Sequence, residues 1–198
     1  MRTITRTYDL FRLAELSAAA RDTAYNEWLR TIEYGWDSDN RNTLEAFESV
    51  FKVKVNDWSY DTCRYSYRFT SRYSGEEEEL CGIRLLKYIV NNYWHTLFKP
   101  KAYYLKGNYK KRRKSRVFTD NCCVLTGYCA DEDILRPIYD FLKAPDTRTT
   151  LYDLMDKCLD SFFKSCRDDM EFQCSEESFE ESCEANDYEF LGNGKMYN

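Results

Sequence analysis

Hydrophobic positions change period several times along the chain, and each change marks an element. Residues 2–12 (RTITRTYDLFR) alternate and are rich in Thr and aromatic residues, which predicts a strand. From there the period becomes four. Leu16, Ala20, Ala24, Trp28 and Ile32 fall on one face, so a helix capped by Ser17 and running to about Ile32 is expected. Turn-forming residues at 34–40 separate it from a second helix, from about Thr43, that buries Leu44, Phe47 and Val50. Phe51, Val53 and Val55 then alternate with Lys52 and Lys54, a switch to period two. Residues 63–69 alternate as well: Tyr65, Tyr67 and Phe69 share one face, Arg64, Ser66 and Arg68 the other. The two alternating runs predict an antiparallel pair across Asp57–Asp61.

The second half of the chain is mainly helical in pattern. Glu76–Glu79 supply negative charge to the start of a long helix that runs to about Phe98 and is stopped by Pro100. Its apolar positions (Leu80, Ile83, Leu86, Ile89, Val90, Tyr93 and Leu97) cover a broad face and mark a central element. His95 lies within it with no acid or nucleophile at helical spacing, and reads as a packed or half-exposed ring. Residues 117–128 hold a further strand and a turn at Thr126-Gly127. Asp131 or Asp133 then caps a helix with Pro137 in its opening turns. Thr150 with Asp153 forms a capping-box start to a helix whose stripe is Leu151, Leu154, Met155, Cys158, Leu159, Phe162, Phe163 and Cys166. Ser175 opens a last short helix, and residues 188–197 read as a strand or hairpin turning at Gly192-Asn193-Gly194. No Pro/Gly/Ser-rich linker and no internal repeat divides the sequence. The expected architecture is one α+β domain over residues 1–198, an antiparallel sheet packed against several helices.

Composition narrows the class. The 198 residues include 17 Tyr, 12 Phe and 4 Trp, and 43% are hydrophobic, which excludes a disordered or linker-like chain. The opening residues carry no apolar run, and no stretch approaches the about 18 apolar residues of a membrane span. With nine cysteines, an odd number, the expectation is a cytoplasmic protein with reduced thiols and no membrane partner. Cys122, Cys123 and Cys129 lie close together, but zinc sites normally use two separated pairs of closely spaced cysteines. They read instead as small core hydrophobes, and no metal or cofactor is expected.

Net charge adds less than its distribution. The total is −5. Residues 99–116 carry nine positive charges and no negative one, whereas residues 168–189 carry ten carboxylates and no lysine or arginine. Lys106, Lys110, Lys111, Arg112, Arg113, Lys114 and Arg116 are candidate phosphate or partner contacts, with Tyr103, Tyr104 and Tyr109 available to stack on bases. Asp168, Asp169, Glu171, Glu176, Glu177, Glu180, Glu181 and Glu184 form a candidate acidic face that could mimic a phosphate backbone before a nucleic-acid enzyme. The alternative for both is a solvated face, or a basic block that pairs with the acidic helices of the same chain.

Catalytic signatures are lacking. The sequence has no phosphate-binding glycine loop, dinucleotide-binding glycine turn, nucleophile elbow or paired-histidine zinc helix. A single histidine leaves little for a cysteine nucleophile to use as a base. Carboxylates are plentiful enough for metal-dependent nuclease chemistry, but no Asp/Glu pair followed by Lys stands out on a strand. The expectation is a protein that is not an enzyme.

Three passages resemble a family of small proteins carried by phages and integrated mobile elements. The first is Tyr8–Phe11 followed by Glu15-Leu16-Ser17 with Ala20 and Ala24, although Ala18-Ala19-Ala20 stands where the family has acidic residues. The second is Leu125-Thr126-Gly127-Tyr128-Cys129-Ala130-Asp131. The third is Ser175-Glu176-Glu177, then Glu184-Ala185-Asn186-Asp187-Tyr188-Glu189-Phe190 and Gly194-Lys195. These motifs have structural readings: Ser17 caps a helix, Gly127 turns the chain, and Asn186 ends a helix in a left-handed conformation. What the resemblance implies is a setting rather than a residue role. It implies an accessory protein that inhibits a host defence nuclease, a CRISPR effector above all, by binding the protein or its nucleic-acid complex. A nucleic-acid-binding regulator using residues 99–116 is the alternative.

Overall fold

A computed structural model describes residues 1–105 and 108–197, with the backbone alone at 104, 105, 108–112 and 116. Lys106 therefore lies outside the described residues, as do the side chains of Lys110, Lys111, Arg112 and Arg116. In chain order the elements are β1 (Leu10–Phe11), α1 (Ala18–Leu29), α2 (Asp37–Val50), β2 (Val53–Tyr60), β3 (Tyr65–Ser71), α3 (Gly75–Glu78) and α4 (Gly82–Leu97). Then follow β4 (Lys99–Leu105), β5 (Asn108–Asp120), α5 (Ala130–Lys143), α6 (Leu151–Gln173), α7 (Glu176–Ala185) and β6 (Phe190–Leu191). The fold is α+β, as expected. Among the described residues its strands form three separate antiparallel pairs, β1–β6, β2–β3 and β4–β5, instead of one sheet. The chain gathers into two compact units, Trp36–Arg167 and a smaller one made of both flanks, Met1–Gly35 with Asp168–Asn198. Each has its own hydrophobic core.

In the larger unit the two strongest sequence patterns meet. The aromatic face of β3 lies on α6: Tyr67 stacks on Phe163 at 5.2 Å between centroids and Phe69 on Tyr152 at 5.1 Å. The Tyr65 and Tyr67 hydroxyls donate to the carboxylates of Asp160 (2.7 Å) and Asp156 (2.8 Å). Strand β2 continues past the expected reversal because Trp58 extends this face against Phe163. The turn comes later, where the Asp61 carboxylate accepts the Cys63 and Arg64 N–H groups (2.7 and 2.9 Å). Helix α2 starts earlier than Thr43, with Asp37 and Asp39 complementing the positive end of the helix in its first turn.

The long helix expected from Glu76 to Phe98 is broken. α3 is one turn, closed by a reciprocal capping box between Ser74 and Glu77. The chain then takes a left-handed step at Gly82 (φ +55°), the first residue of α4, and the Leu80 carbonyl accepts the Leu151 N–H (2.9 Å). α4 buries Leu85, Ile89, Tyr93 and Leu97, while Ile83, Val90 and His95 are exposed. Pro137 stands inside α5. Its missing N–H leaves the Asp133 carbonyl without a helical donor, and Ser161 Oγ of α6 donates to that oxygen at 2.8 Å. The capping box of Thr150 and Asp153 forms as expected, with both bonds at 3.1 Å.

The smaller unit joins the two flanks. Ser17 caps α1 by accepting the Ala20 N–H (3.3 Å), and Leu16, Ala20, Ala24 and Trp28 are buried; the helix stops at Leu29, short of Ile32. Of the strand expected over 2–12, only Leu10 and Phe11 pair, with Leu191 and Phe190. Residues before them have no apolar face to bury, and Ile4 is exposed. Trp28 packs on Phe179 of α7 at 5.2 Å. The turn after β6 passes through Gly194 at φ +86°, where a Cβ would fall on the Ala20 carbonyl oxygen. The motifs at the two ends of the sequence are thus halves of one packed object. Asn186 does not take the left-handed conformation expected of it. It sits at φ −105°, and Asp187 makes that step at φ +54°.

Candidate nucleic-acid interface

The basic block has no clear period in sequence, yet it folds as a β-ribbon. Near its base Lys99 pairs with Asp120 and Pro100 with Thr119; beyond a register shift, Ala102 pairs with Lys114, Tyr103 with Arg113 and Tyr104 with Arg112. In these last three pairs a basic position faces an alanine or tyrosine position rather than another basic one, which avoids the cost of like charges across a pair. The shift is absorbed by residues 115–118. Ser115 Oγ accepts the N–H groups of Val117 (3.1 Å) and Phe118 (2.8 Å), and both apolar side chains project into solvent, 81% and 71% exposed.

Lys101, Arg113 and Lys114 are exposed. Among the described residues, no ion pair takes any of the three. Lys99 is the exception on this ribbon: its ammonium donates to the Val124 carbonyl and serves as an anchor.

The ribbon leaves the core at a defined clamp. Tyr139 of α5 donates its hydroxyl to the Leu97 carbonyl (3.0 Å), just before β4, and approaches the Asn121 carbonyl (3.4 Å), just after β5. Burial raises its phenol well above the ordinary range, so it remains a donor at any physiological pH. Phe98 packs edge-on against the same ring at 5.5 Å.

The loop that follows is organised by Asp131, which is wholly buried. The carboxylate does not cap its own helix. One oxygen accepts the N–H groups of Leu125 (2.9 Å), Thr126 (2.7 Å) and Gly127 (3.1 Å); the other accepts the hydroxyls of Thr126 (2.7 Å) and Thr43 (3.3 Å). Gly127 at φ +96° completes this turn, as its place in the sequence motif predicts.

The acidic segment is less uniform than its sequence. Asp169 accepts the Tyr34 hydroxyl (2.7 Å), Glu180 pairs with Arg21 (2.5 Å) and Asp187 with Arg12 (3.2 Å). Those two ion pairs border a cleft of about 400 Å³. Asp168 and Asp169 are half-buried, whereas Glu171, Glu176, Glu177, Glu181 and Glu184 are exposed.

The cysteines divide. Cys158 and Cys166 lie in the core as their stripe predicts, and Cys183 is buried too; Cys122 and Cys129, expected as core hydrophobes, are exposed instead, Cys123 is half-buried, and Cys63 is exposed. Cys122 and Cys123 meet Glu132 of α5, with one ligand atom from each within 4.8 Å of the others. Glu132 is a residue the sequence reading missed, since cysteine spacing alone cannot reveal a carboxylate donor. Comparisons with family models, curated proteins and solved structures find no match.

Proposed function

We propose that this is a non-catalytic accessory protein, of the phage or mobile-element kind its motifs resemble, that acts in the bacterial cytoplasm by binding nucleic acid through the β4–β5 ribbon. The supporting observation is the exposed charge of Lys101, Arg113 and Lys114, in no ion pair among the described residues, on a ribbon that also exposes the rings of Tyr103 and Phe118. A two-stranded ribbon matches the width of the major groove of duplex DNA, and exposed rings provide stacking surfaces for unpaired bases. Replacing Lys101, Arg113 and Lys114 together by alanine tests the reading by fluorescence anisotropy on DNA and RNA at several salt concentrations. Affinity falls, and the slope of log affinity against log salt flattens by up to about 3 on duplex DNA. Unchanged affinity and slope overturn the reading.

A second reading has its own support in α7, where Glu177, Glu181 and Glu184 are exposed. Here the protein inhibits a host defence nuclease, such as a CRISPR effector, by offering carboxylates to its nucleic-acid channel. Pull-downs of such nucleases with and without guide RNA, using the native protein and a Glu177→Lys/Glu181→Lys/Glu184→Lys variant, separate the two. Capture that survives this reversal but is lost on neutralising the ribbon favours the first.

A further inference from the structure

Adjacent side chains normally diverge, in strands to opposite faces and in helices by about 100°. Cys123 departs from both, with a left-handed backbone at φ +42°, and its Sγ lies 3.7 Å from that of Cys122. Glu132, in the first turn of α5, brings one carboxylate oxygen to 3.0 Å from Cys122 Sγ and 3.7 Å from Cys123 Sγ. Two sulfurs on a tetrahedral zinc, with bonds of about 2.3 Å, stand about 3.8 Å apart. A sulfur and a carboxylate oxygen on the same ion stand about 3.6 Å apart. The three donors are therefore already near the edges of a metal tetrahedron.

We propose that Cys122, Cys123 and Glu132 form a binding site for a thiophilic d¹⁰ cation of the zinc class. Two thiols and a carboxylate make a donor set that suits zinc and disfavours magnesium or calcium. Three like-charged ligands crowded together oppose one another's ionisation until a cation sits between them. Binding then displaces two thiol protons to solvent as two sulfur–metal bonds form. Access is provided by a cleft of about 230 Å³ bordered by Cys122, Glu132, Arg136 and Tyr139, which leaves room for water as the fourth ligand. The site lies just past the end of β5, so a bound ion ties the exit of the ribbon to α5.

The test uses the full chain, reduced and stripped with chelator, titrated with Zn²⁺ against a chromophoric competitor and with Co²⁺ as an optical probe. One equivalent per chain is expected, with a thiolate-to-cobalt charge-transfer band. Both should vanish in the Cys122→Ser/Cys123→Ser variant and persist in Cys63→Ser. Glu132→Gln should weaken zinc by more than the about 10–100-fold that loss of a merely supporting group costs. Circular dichroism of each variant should match the parent. A tight equivalent that survives the double serine variant overturns the proposal, as does the absence of any tight equivalent in the reduced parent. So does an intact mass showing a Cys122–Cys123 disulfide that resists the reductant.

Discussion

Replacing Asp131 by alanine and by asparagine gives two different outcomes, set by which oxygen accepts what. The side chain is fully buried, and its five incoming hydrogen bonds are split: three backbone N–H groups converge on one oxygen and two hydroxyls on the other. Alanine removes every acceptor and leaves three backbone donors of a half-buried loop without their partner. Each bond to a charged group is worth about 1.5–3 kcal/mol, and the sum is reduced by the desolvation that the buried charge no longer pays. The expected loss is about 3–5 kcal/mol, a large part of a total that is ordinarily about 5–15 kcal/mol. Asparagine behaves differently. Its amide oxygen can keep the three N–H groups while its NH₂ faces the two threonine hydroxyls, which can rotate to accept. Only the charge assistance is lost, about 1–2 kcal/mol. Urea unfolding followed by circular dichroism measures both. Equal losses for the two variants, or a loss below about 1 kcal/mol for alanine, would refute this account of the loop.

Three other perturbations have defined outcomes. Gly194→Ala forces a side chain onto the Ala20 carbonyl at a left-handed backbone position, so the smaller unit should lose about 3 kcal/mol or more, seen as selective loss of hydrogen-exchange protection around Trp28 and Phe179. Glu77 accepts bonds from the Ser74 N–H, Lys52 and Tyr88, which lower its carboxyl from 4.5 to about 2. Its contribution is thus complete above the unfolded-state value and is lost as pH falls from about 4.5 towards 2; Glu77→Gln should lower thermal stability at neutral pH and flatten that acid limb. Tyr139→Phe removes the hydroxyl at the root of the ribbon, costing about 1 kcal/mol globally and speeding amide exchange at residues 97–100 and 119–121 more than elsewhere.

Patterns carried by neighbouring residues were readable in the sequence, and arrangements made across distance were not. The aromatic face of Tyr65, Tyr67 and Phe69 and the caps at Ser17, Thr150 and Ser175 depend on residues within a few positions, and the structure contains all of them. The break before α4 was hidden because a glycine inside an apolar helical pattern does not announce a positive φ. Distant partners hold that step: the Leu151 N–H donates to the Leu80 carbonyl, and Cys81 forms a bridge with Thr150. The ribbon was hidden by its charges, since lysines and arginines obscure a period-two pattern that depends on pairing with a partner strand. At the sites, Thr43 and Glu132 reach Asp131 and the cysteine pair only through tertiary packing, so neither role can be read from spacing.

The smaller unit is discontinuous, and this has a consequence for how the chain is made. Leu16, Ala20, Ala24 and Trp28 are made before their cover: Phe179, Cys183 and Phe190 follow only after the whole of Trp36–Arg167. Until then the nascent chain carries an uncovered apolar stripe, the kind of surface that chaperones bind and that aggregation exploits. Once the larger unit is complete, the closure becomes local: the Tyr34 hydroxyl meets Asp169 where the chain leaves the smaller unit and where it returns. The smaller unit thus closes only after the segment between its two halves has been made.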